Sequence, residues 1–440
     1  MICNYIQGEK SMSYTLFGDG IHDDTEAIQH LIDEKRCVYL PAPDKFYLIS
    51  QTLKLHSNSE LHLDRFTEIR LAANSNCPML SNDDHLNGNK RICISGGIWN
   101  GNNTEQAPNP QMLADKDGNA GNSDAFKRMQ VPADYPVDPV SKASSSWNAN
   151  NPYHPDRYYG IIWRFVNVDG FEVRDIILQN PVSYAVQCGN VRNFTVEHVT
   201  FDFNFGNPSP NNMDGLHFDG FCRNGFISDL KGACYDDLLA FNAEDIPADS
   251  PGFGPIENIV IDGIFADRCH SAVRMLSCGS TIRNITIRNV FGSYYRYAIG
   301  FTHFLENMPR GRFDNIVLEN LNISKALPLE EDWNRCPDWG LVWIQNEGDV
   351  GSLRITGFHR IEETTPTASI EIEKGATVSQ LTIQDVSVEN HLKEPLTFMQ
   401  NAGLIDMLIF DDNCRMTAVD GAGKISLFDN RGRINSRYKE

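Results

Sequence analysis

Thr281-Ile-Arg-Asn-Ile-Thr-Ile-Arg-Asn-Val290 decides how this chain is read. Ile282, Ile285, Ile287 and Val290 are apolar, and Arg283, Thr286 and Arg288 stand between them. Such alternation is the period of a strand with one face buried. Asn284 and Asn289 punctuate it, and Asn tolerates the left-handed backbone of a corner. The same pattern returns at 167–177, 190–200, 223–230, 256–264 and 312–321, with weaker copies at 351–355 and 378–386. Steps between matched apolar positions are 23 (Phe171 to Phe194), 33 (Phe226 to Ile259), 26 (Ile259 to Ile285), 31 (Ile285 to Ile316) and 28 (Leu353 to Leu381). A period that drifts through the twenties and thirties suits a β-solenoid whose loops differ in length. Leucine-rich horseshoes share the period, but their leucine pattern is missing. The expected class is therefore all-β, one solenoid domain over residues 1–440.

Two segments interrupt the repeats. Residues 14–35 read as a turn and an amphipathic helix, with Asp23 or Asp24 as N-cap and Ala27, Ile28, Leu31 and Ile32 as the buried stripe. A solenoid must cover its first coil, because an open edge invites aggregation, so this helix is expected to be the cap. Residues 101–156 are rich in Asn, Pro, Asp and Ser and carry Trp147, Tyr153 and His154. They are expected to form a long insertion loop, its aromatic residues placed over a binding groove or at a surface contact.

Composition narrows the partners. The chain has 440 residues, 41% of them hydrophobic and 22% charged, as in folded globular chains. Lys plus Arg number 38 and Asp plus Glu 58, giving a net charge of −20. That balance argues against nucleic acid and anionic membrane as partners. An anionic sugar stays open, since one arginine can bind a carboxylate whatever the net charge. No apolar run approaches the ~20 residues of a membrane span. No basic-then-apolar leader is visible at the N-terminus, so the expected location is cytoplasmic, or secreted if a leader has been removed. The 11 cysteines are dispersed without zinc-type spacing. Cys93, Cys188, Cys222 and Cys234 sit among apolar strand residues and read as free buried thiols, in keeping with a reducing compartment.

The chemistry is carried by Asn212-Met-Asp-Gly215 and Tyr235-Asp-Asp237. Asp214 and Asp236 are 236 − 214 = 22 residues apart, about one repeat. Stacking would bring Asp214, Asp236 and Asp237 together on one face. Three neighbouring carboxylates cannot all ionise cheaply, so one should keep its proton and serve as an acid. Acid/base work on a glycosidic bond needs such a set. His217 and Asp219, on the strand after Asp214, are expected to share its face. Glu244, Asp245, His303 and Glu347 are further groove candidates. No cofactor and no metal is expected.

The chain resembles the pectin-lyase-like superfamily of right-handed parallel β-helices. Gly18-Asp-Gly-Ile-His-Asp-Asp-Thr-Glu-Ala-Ile28 is similar to that superfamily's opening motif. Asn212-Met-Asp-Gly215 and Asp236-Asp237 are similar to the first two motifs of glycoside hydrolase family 28, the polygalacturonases. The resemblance implies a single-stranded right-handed parallel β-helix that inverts at the anomeric carbon. It implies Asp236 as general acid, and Asp214 and Asp237 as the pair that holds and deprotonates water.

Later motifs depart from the family. Its Gly-His-Gly stands here as Cys269-His270-Ser271, which leaves His270 to assist Asp237 or bind a hydroxyl. Its Arg-x-Lys is absent: Gly300 and Thr302 occupy the outward positions, with Arg274 and Arg296 as candidate replacements that grip a substrate carboxylate. Coils stack at ~4.8 Å, closer than the ~6.5–9.5 Å carboxyl separation usual for inversion. The alternatives are a polysaccharide lyase or other sugar-transforming enzyme on the same fold, in which acidic clusters would hold Ca²⁺. Another is a non-catalytic, tailspike-like solenoid that binds glycans. The expected partner is a poly- or oligosaccharide, and the chain is a monomer or homo-oligomer, such solenoids often being trimers.

Overall fold

The computed structural model describes residues 14–108, 158, 160–207, 210, 212–245, 252–303, 308–328, 339–411 and 413–439. Most of the insertion 101–156, with Trp147, Tyr153 and His154, lies outside the described residues. Two sheets, of 17 and 12 strands, wind around one core that runs from Ile28 to Phe410. Every strand pair among the described residues is parallel, and each strand of the smaller sheet pairs with its counterpart one coil on.

The repeat quoted above lies in the strand Thr281–Tyr294, whose Ile282, Ile285, Ile287 and Val290 are wholly buried. Its asparagines do what the pattern predicts. Asn193, Asn224, Asn258, Asn284 and Asn315 all have φ between 50° and 60° and stack in register on successive coils. Each side-chain amide donates to the residue one coil earlier: Asn224 to Asn193 at 3.2 Å, Asn258 to Asn224 at 3.1 Å, Asn284 to Asn258 at 2.8 Å and Asn315 to Asn284 at 2.9 Å. The ladder pairs polar groups at a corner where the long strand bends.

One of the sequence steps slips by a residue. Ile259 pairs with Gly225, not Phe226. The Phe194 ring fills the core space at that level, and a Cβ on Gly225 would lie 2.0 Å from its Cζ. An apolar match by eye passed over a glycine that carries no side chain into the layer.

At the N-terminus the helix Thr25–Glu34 buries Ala27, Ile28 and Ile32, while Leu31 packs half-buried beside them. Asp24 is the N-cap by position, but its side chain makes no cap bond to the helix. Its buried carboxylate accepts from the amides of Phe17 at 2.6 Å, Gly18 at 3.2 Å and Leu48 at 3.3 Å, pinning the preceding turn to the first coil. Asp23 accepts the Thr25 amide at 2.9 Å. The described cysteines are free; Cys188, Cys222 and Cys234 are buried and Cys93 is half-buried.

Candidate functional site

Three consecutive strands of the smaller sheet carry the site: Leu216–Asp219, Asp237–Asn242 and Ser271–Leu276. Leu216 and Phe218, Leu239 and Phe241, and Val273 and Met275 point into the core. The opposite face therefore presents His217 and Asp219, Ala240 and Asn242, and Arg274. Leu216 pairs with Leu239, which is 239 − 216 = 23 residues on. Asp214 consequently stacks on Asp237, and the Gly215 amide donates to the Asp237 carbonyl at 3.0 Å. Asp236 sits one residue before that column. His270 follows Asp236 one coil later, since Asp237 pairs with Ser271.

The three carboxylates are nearly enclosed: Asp214, Asp236 and Asp237 expose 1%, 6% and 0% of their surface. Each has a different environment. Asp214 Oδ2 is 2.6 Å from His217 Nδ1. Asp237 Oδ2 is 2.9 Å from Arg274 Nε, and its Oδ1 accepts from the Ser271 hydroxyl and, at 3.3 Å, from Tyr297. Asp236 Oδ1 faces His270 Nδ1 at 3.5 Å.

Charge separates them further. Burial, and then the neighbouring Asp214 and Asp237, push Asp236 well above the usual carboxylate range, against the pull of Arg274 and Arg296. Burial also raises Asp237, but Arg274 and the Ser271 bond oppose it. Burial pushes His270 well below the ordinary histidine value, and Arg296, Arg274 and Lys325 push it the same way. His270 is thus a neutral ring, and it supplies Asp236 with no counter-charge. For His217 burial alone would lower the pKa, but the carboxylates of Asp219, Asp214 and Asp245 outweigh it and hold it well above the ordinary value.

The His217 ring stacks on Tyr184, centroids 4.1 Å apart. Its Nε2 stands 3.5 Å from Asp219, 3.6 Å from Asp245 and 3.1 Å from the Asn242 amide nitrogen. Gln187 donates to Asp219 at 2.9 Å and accepts from the buried Arg164 at 3.0 Å. Two trios, His217–Asp219–Asp245 and Asp236–Asp237–His270, each bring their nitrogen and oxygen ligand atoms within 4.8 Å of one another. That donor set suits a hard or borderline divalent cation.

No protein-family profile matches the chain, and no curated protein sequence does. Solved structures do. The N-terminal fragment of bacteriophage phi29 gene product 12 superposes with a TM-score of 0.54 at 14% identity, over 94% of this chain and 64% of that one. A family 28 exopolygalacturonase of Yersinia enterocolitica gives a TM-score of 0.53 at 15% identity, over 96% of this chain and 77% of that one. The adhesin PfbA of Streptococcus pneumoniae gives 0.50 at 15% identity, over 97% and 98% of the two chains. The fold is the right-handed parallel β-helix. An enzyme, a phage protein and an adhesin share it at similar distance, so the β-helix itself does not name a reaction.

Within this β-helix the sequence-predicted residues divide. Asp214, Asp236, Asp237, His217, His270 and Arg274 come together, and Asp219 and Asp245 adjoin them through His217. Asp214 reaches His217 across a step of three residues because it lies ahead of the strand Leu216–Asp219, where strand alternation does not apply. Arg296 lies beside His270, Nη1 to Nε2 3.3 Å, with its guanidinium 4.3 Å over the Trp339 ring. Trp339 in turn stacks on Trp343 at 4.6 Å. His303 makes its contacts elsewhere: its amide donates to Gln345 at 2.8 Å and its ring meets the Pro309 carbonyl at 2.8 Å. Glu244 caps the amides of Cys278 and Ser280 at 2.7 and 2.8 Å, and Glu347 pairs with Arg310 at 2.9 Å.

The sequence reading passed over Tyr184, Asn242, Ser271 and Tyr297. Ser271 was visible as the residue replacing the family's second glycine. The others carry no local signal; coil stacking alone brings them in.

Proposed function

We propose that this protein hydrolyses a glycosidic bond in a poly- or oligosaccharide, with Asp236 as general acid and Asp214 and Asp237 as the pair that orients and deprotonates the water. The observation that carries this reading is the unequal environment of three neighbouring carboxylates. Two face a basic side chain at 2.6 and 2.9 Å, and the third faces a neutral histidine at 3.5 Å. Carboxyl groups whose surroundings push their proton affinities apart are the arrangement that separates acid from base. The similarity of the chain's two acidic motifs to family 28 supports an inverting outcome.

The test is incubation with a panel of plant and bacterial oligosaccharides, followed by mass spectrometry. One water gained per cleavage is expected. Asp236→Asn should lower kcat by roughly 10²–10⁴-fold, the range of a general acid, with an unchanged melting curve below pH 4. Near-normal turnover by that variant would overturn the assignment of Asp236.

One observation favours a second reading. The carboxylates expose 1%, 6% and 0% of their surface, which leaves a sugar little to touch. A solenoid that binds glycans on its outer face without turnover fits that burial, and the neighbouring folds include an adhesin. Binding on a glycan array with no cleavage product would select it.

A further inference from the structure

The first two coils carry a group of side chains that the acid cluster does not use. Strands Cys37–Leu40 and Ser59–Leu63 lie side by side in the larger sheet, with Cys37 opposite Glu60 and Tyr39 opposite His62. Val38, Leu40, Leu61 and Leu63 are buried, so strand alternation turns Cys37, Glu60 and His62 to the outer face. Cys37 is exposed, and Glu60 and His62 are half-buried. A residue, its neighbour two positions on and the residue opposite on the adjacent strand make a triangle on one face of a sheet. Here the triangle holds a thiol, a carboxyl group and an imidazole.

Their polar atoms converge. His62 Nε2 is 2.8 Å from Glu60 Oε1, and the same carboxylate meets the Cys37 thiol. One sulfur, one oxygen and one nitrogen ligand atom lie within 4.8 Å of one another. The second ring nitrogen of His62, Nδ1, meets the Ser95 hydroxyl on the next strand, Asn89–Ser95, where Ser95 stands opposite His62. That bond fixes the plane of the ring and keeps Nε2 turned to Glu60, as the outer partner of a metal-binding histidine does. Cys93, opposite Glu60 on that strand, is engaged elsewhere: its sulfur meets Arg174 at 3.9 Å.

The donor atoms choose the ligand. Ca²⁺ and Mg²⁺ take oxygen ligands. A thiolate, an imidazole and a carboxylate together suit Zn²⁺ and the neighbouring first-row divalent ions.

We propose that Cys37, Glu60 and His62 form a Zn²⁺-type site on the outer face of the first two coils, with water in the fourth position. Cys37 gives its thiol proton to the buffer as the metal binds, because the thiolate is the ligand. The ion ties the first strand of the sheet to the strand stacked on it. The site lies apart from the acid cluster and does not depend on the hydrolase reading.

The experiment uses the full-length chain, kept reduced and stripped of metal with EDTA. It is titrated with Co²⁺, whose bond to a thiolate gives a charge-transfer absorption in the near ultraviolet, and then with Zn²⁺. The His217–Asp219–Asp245 and Asp236–Asp237–His270 trios contain no sulfur, so the band reports this site and not those. One equivalent of Co²⁺ should raise the band, and Zn²⁺ should remove it by displacing the cobalt. Ca²⁺ should leave it in place.

Cys37→Ser should abolish the band; the residue is exposed, and an unchanged circular dichroism spectrum checks that the variant folds. Ser95→Ala, which removes the bond that orients the ring, should weaken binding by about 10–100-fold, and His62→Gln by more. Cys93→Ser should bind as the wild type does. A band that survives Cys37→Ser, or that is lost in Cys93→Ser, would overturn the proposal. Cobalt bound without a sulfur band would place the ion at the other trios and also overturn it. A band that appears only at millimolar Co²⁺ would mark an adventitious ion only, with the same consequence.

Discussion

Asp236 is an acidic side chain held where its charged form is disfavoured, and this has a consequence for stability as well as for catalysis. Its native pKa lies well above the model-compound value of 3.8, with burial the largest cause and Asp214 and Asp237 next. Below 3.8 both native and unfolded chains hold the proton, and the group has no effect. Above it the unfolded chain releases the proton while the native chain keeps it, so the native state binds more protons and stability falls as pH rises. The fall ends once pH passes the native pKa. Asp236→Asn removes this linkage and preserves the shape. The variant is expected to melt higher than the wild type at pH 7 and at about the same temperature at pH 3.5. Thermal unfolding followed by circular dichroism across that range checks it; equal melting temperatures at pH 7 would show that Asp236 carries no burial penalty. Much of this was legible in the residues. Two acidic motifs one repeat apart announced a cluster. The order within it was not legible, because one coil is 23 residues there and the motifs' step is 22, and a single residue decides which carboxylate lies over which.

At the scale of the element, the strand pattern and its asparagine corners explain each other. Asn284 turns the strand Thr281–Tyr294 with φ of 56°, receives the Asn315 amide and donates its own to Asn258. Two properties act at that position, tolerance of left-handed backbone and the ladder bonds, and two substitutions separate them. Asn284→Gly keeps the backbone freedom and loses the bonds, at a cost of about 1 kcal/mol. Asn284→Ala loses both and should cost about 2–3 kcal/mol, since left-handed backbone adds about 1–2 for a residue with a Cβ. Urea denaturation at matched protein concentration measures the two. Equal losses would mean that the backbone angle carries no strain there. The corner asparagines were readable one repeat at a time. The ladder was not, because its partners are 31, 34, 26 and 31 residues apart and only equal stacking of unequal coils aligns them.

At the scale of the whole molecule, the β-helix is a stack in which each coil is covered by the next. The first coil has the helix Thr25–Glu34 instead, seated through Ile28 and Ile32, which expose 0% and 2%. Ile28→Asp would place a charge against the core and lift that cover, leaving apolar strand edges open to another chain. Soluble aggregates are expected by light scattering at concentrations where the wild type stays dispersed. A variant that stays dispersed with an unchanged far-ultraviolet spectrum would show that the helix is not what protects the edge.

The sequence by itself determined the coil, the cap and the presence of an acid cluster, because each depends on contacts within a repeat: alternation along a strand, a helical stripe, a corner residue. Register, and with it the pairing of Asp214 with His217, of Asp237 with Arg274 and of Asp236 with His270, was decided only by the tertiary structure. In a parallel solenoid every lateral neighbour belongs to another coil, and loops of unequal length separate the coils. Which side chains meet across that gap is set by the packing of the common core, where Phe194 fills the layer that Gly225 leaves empty.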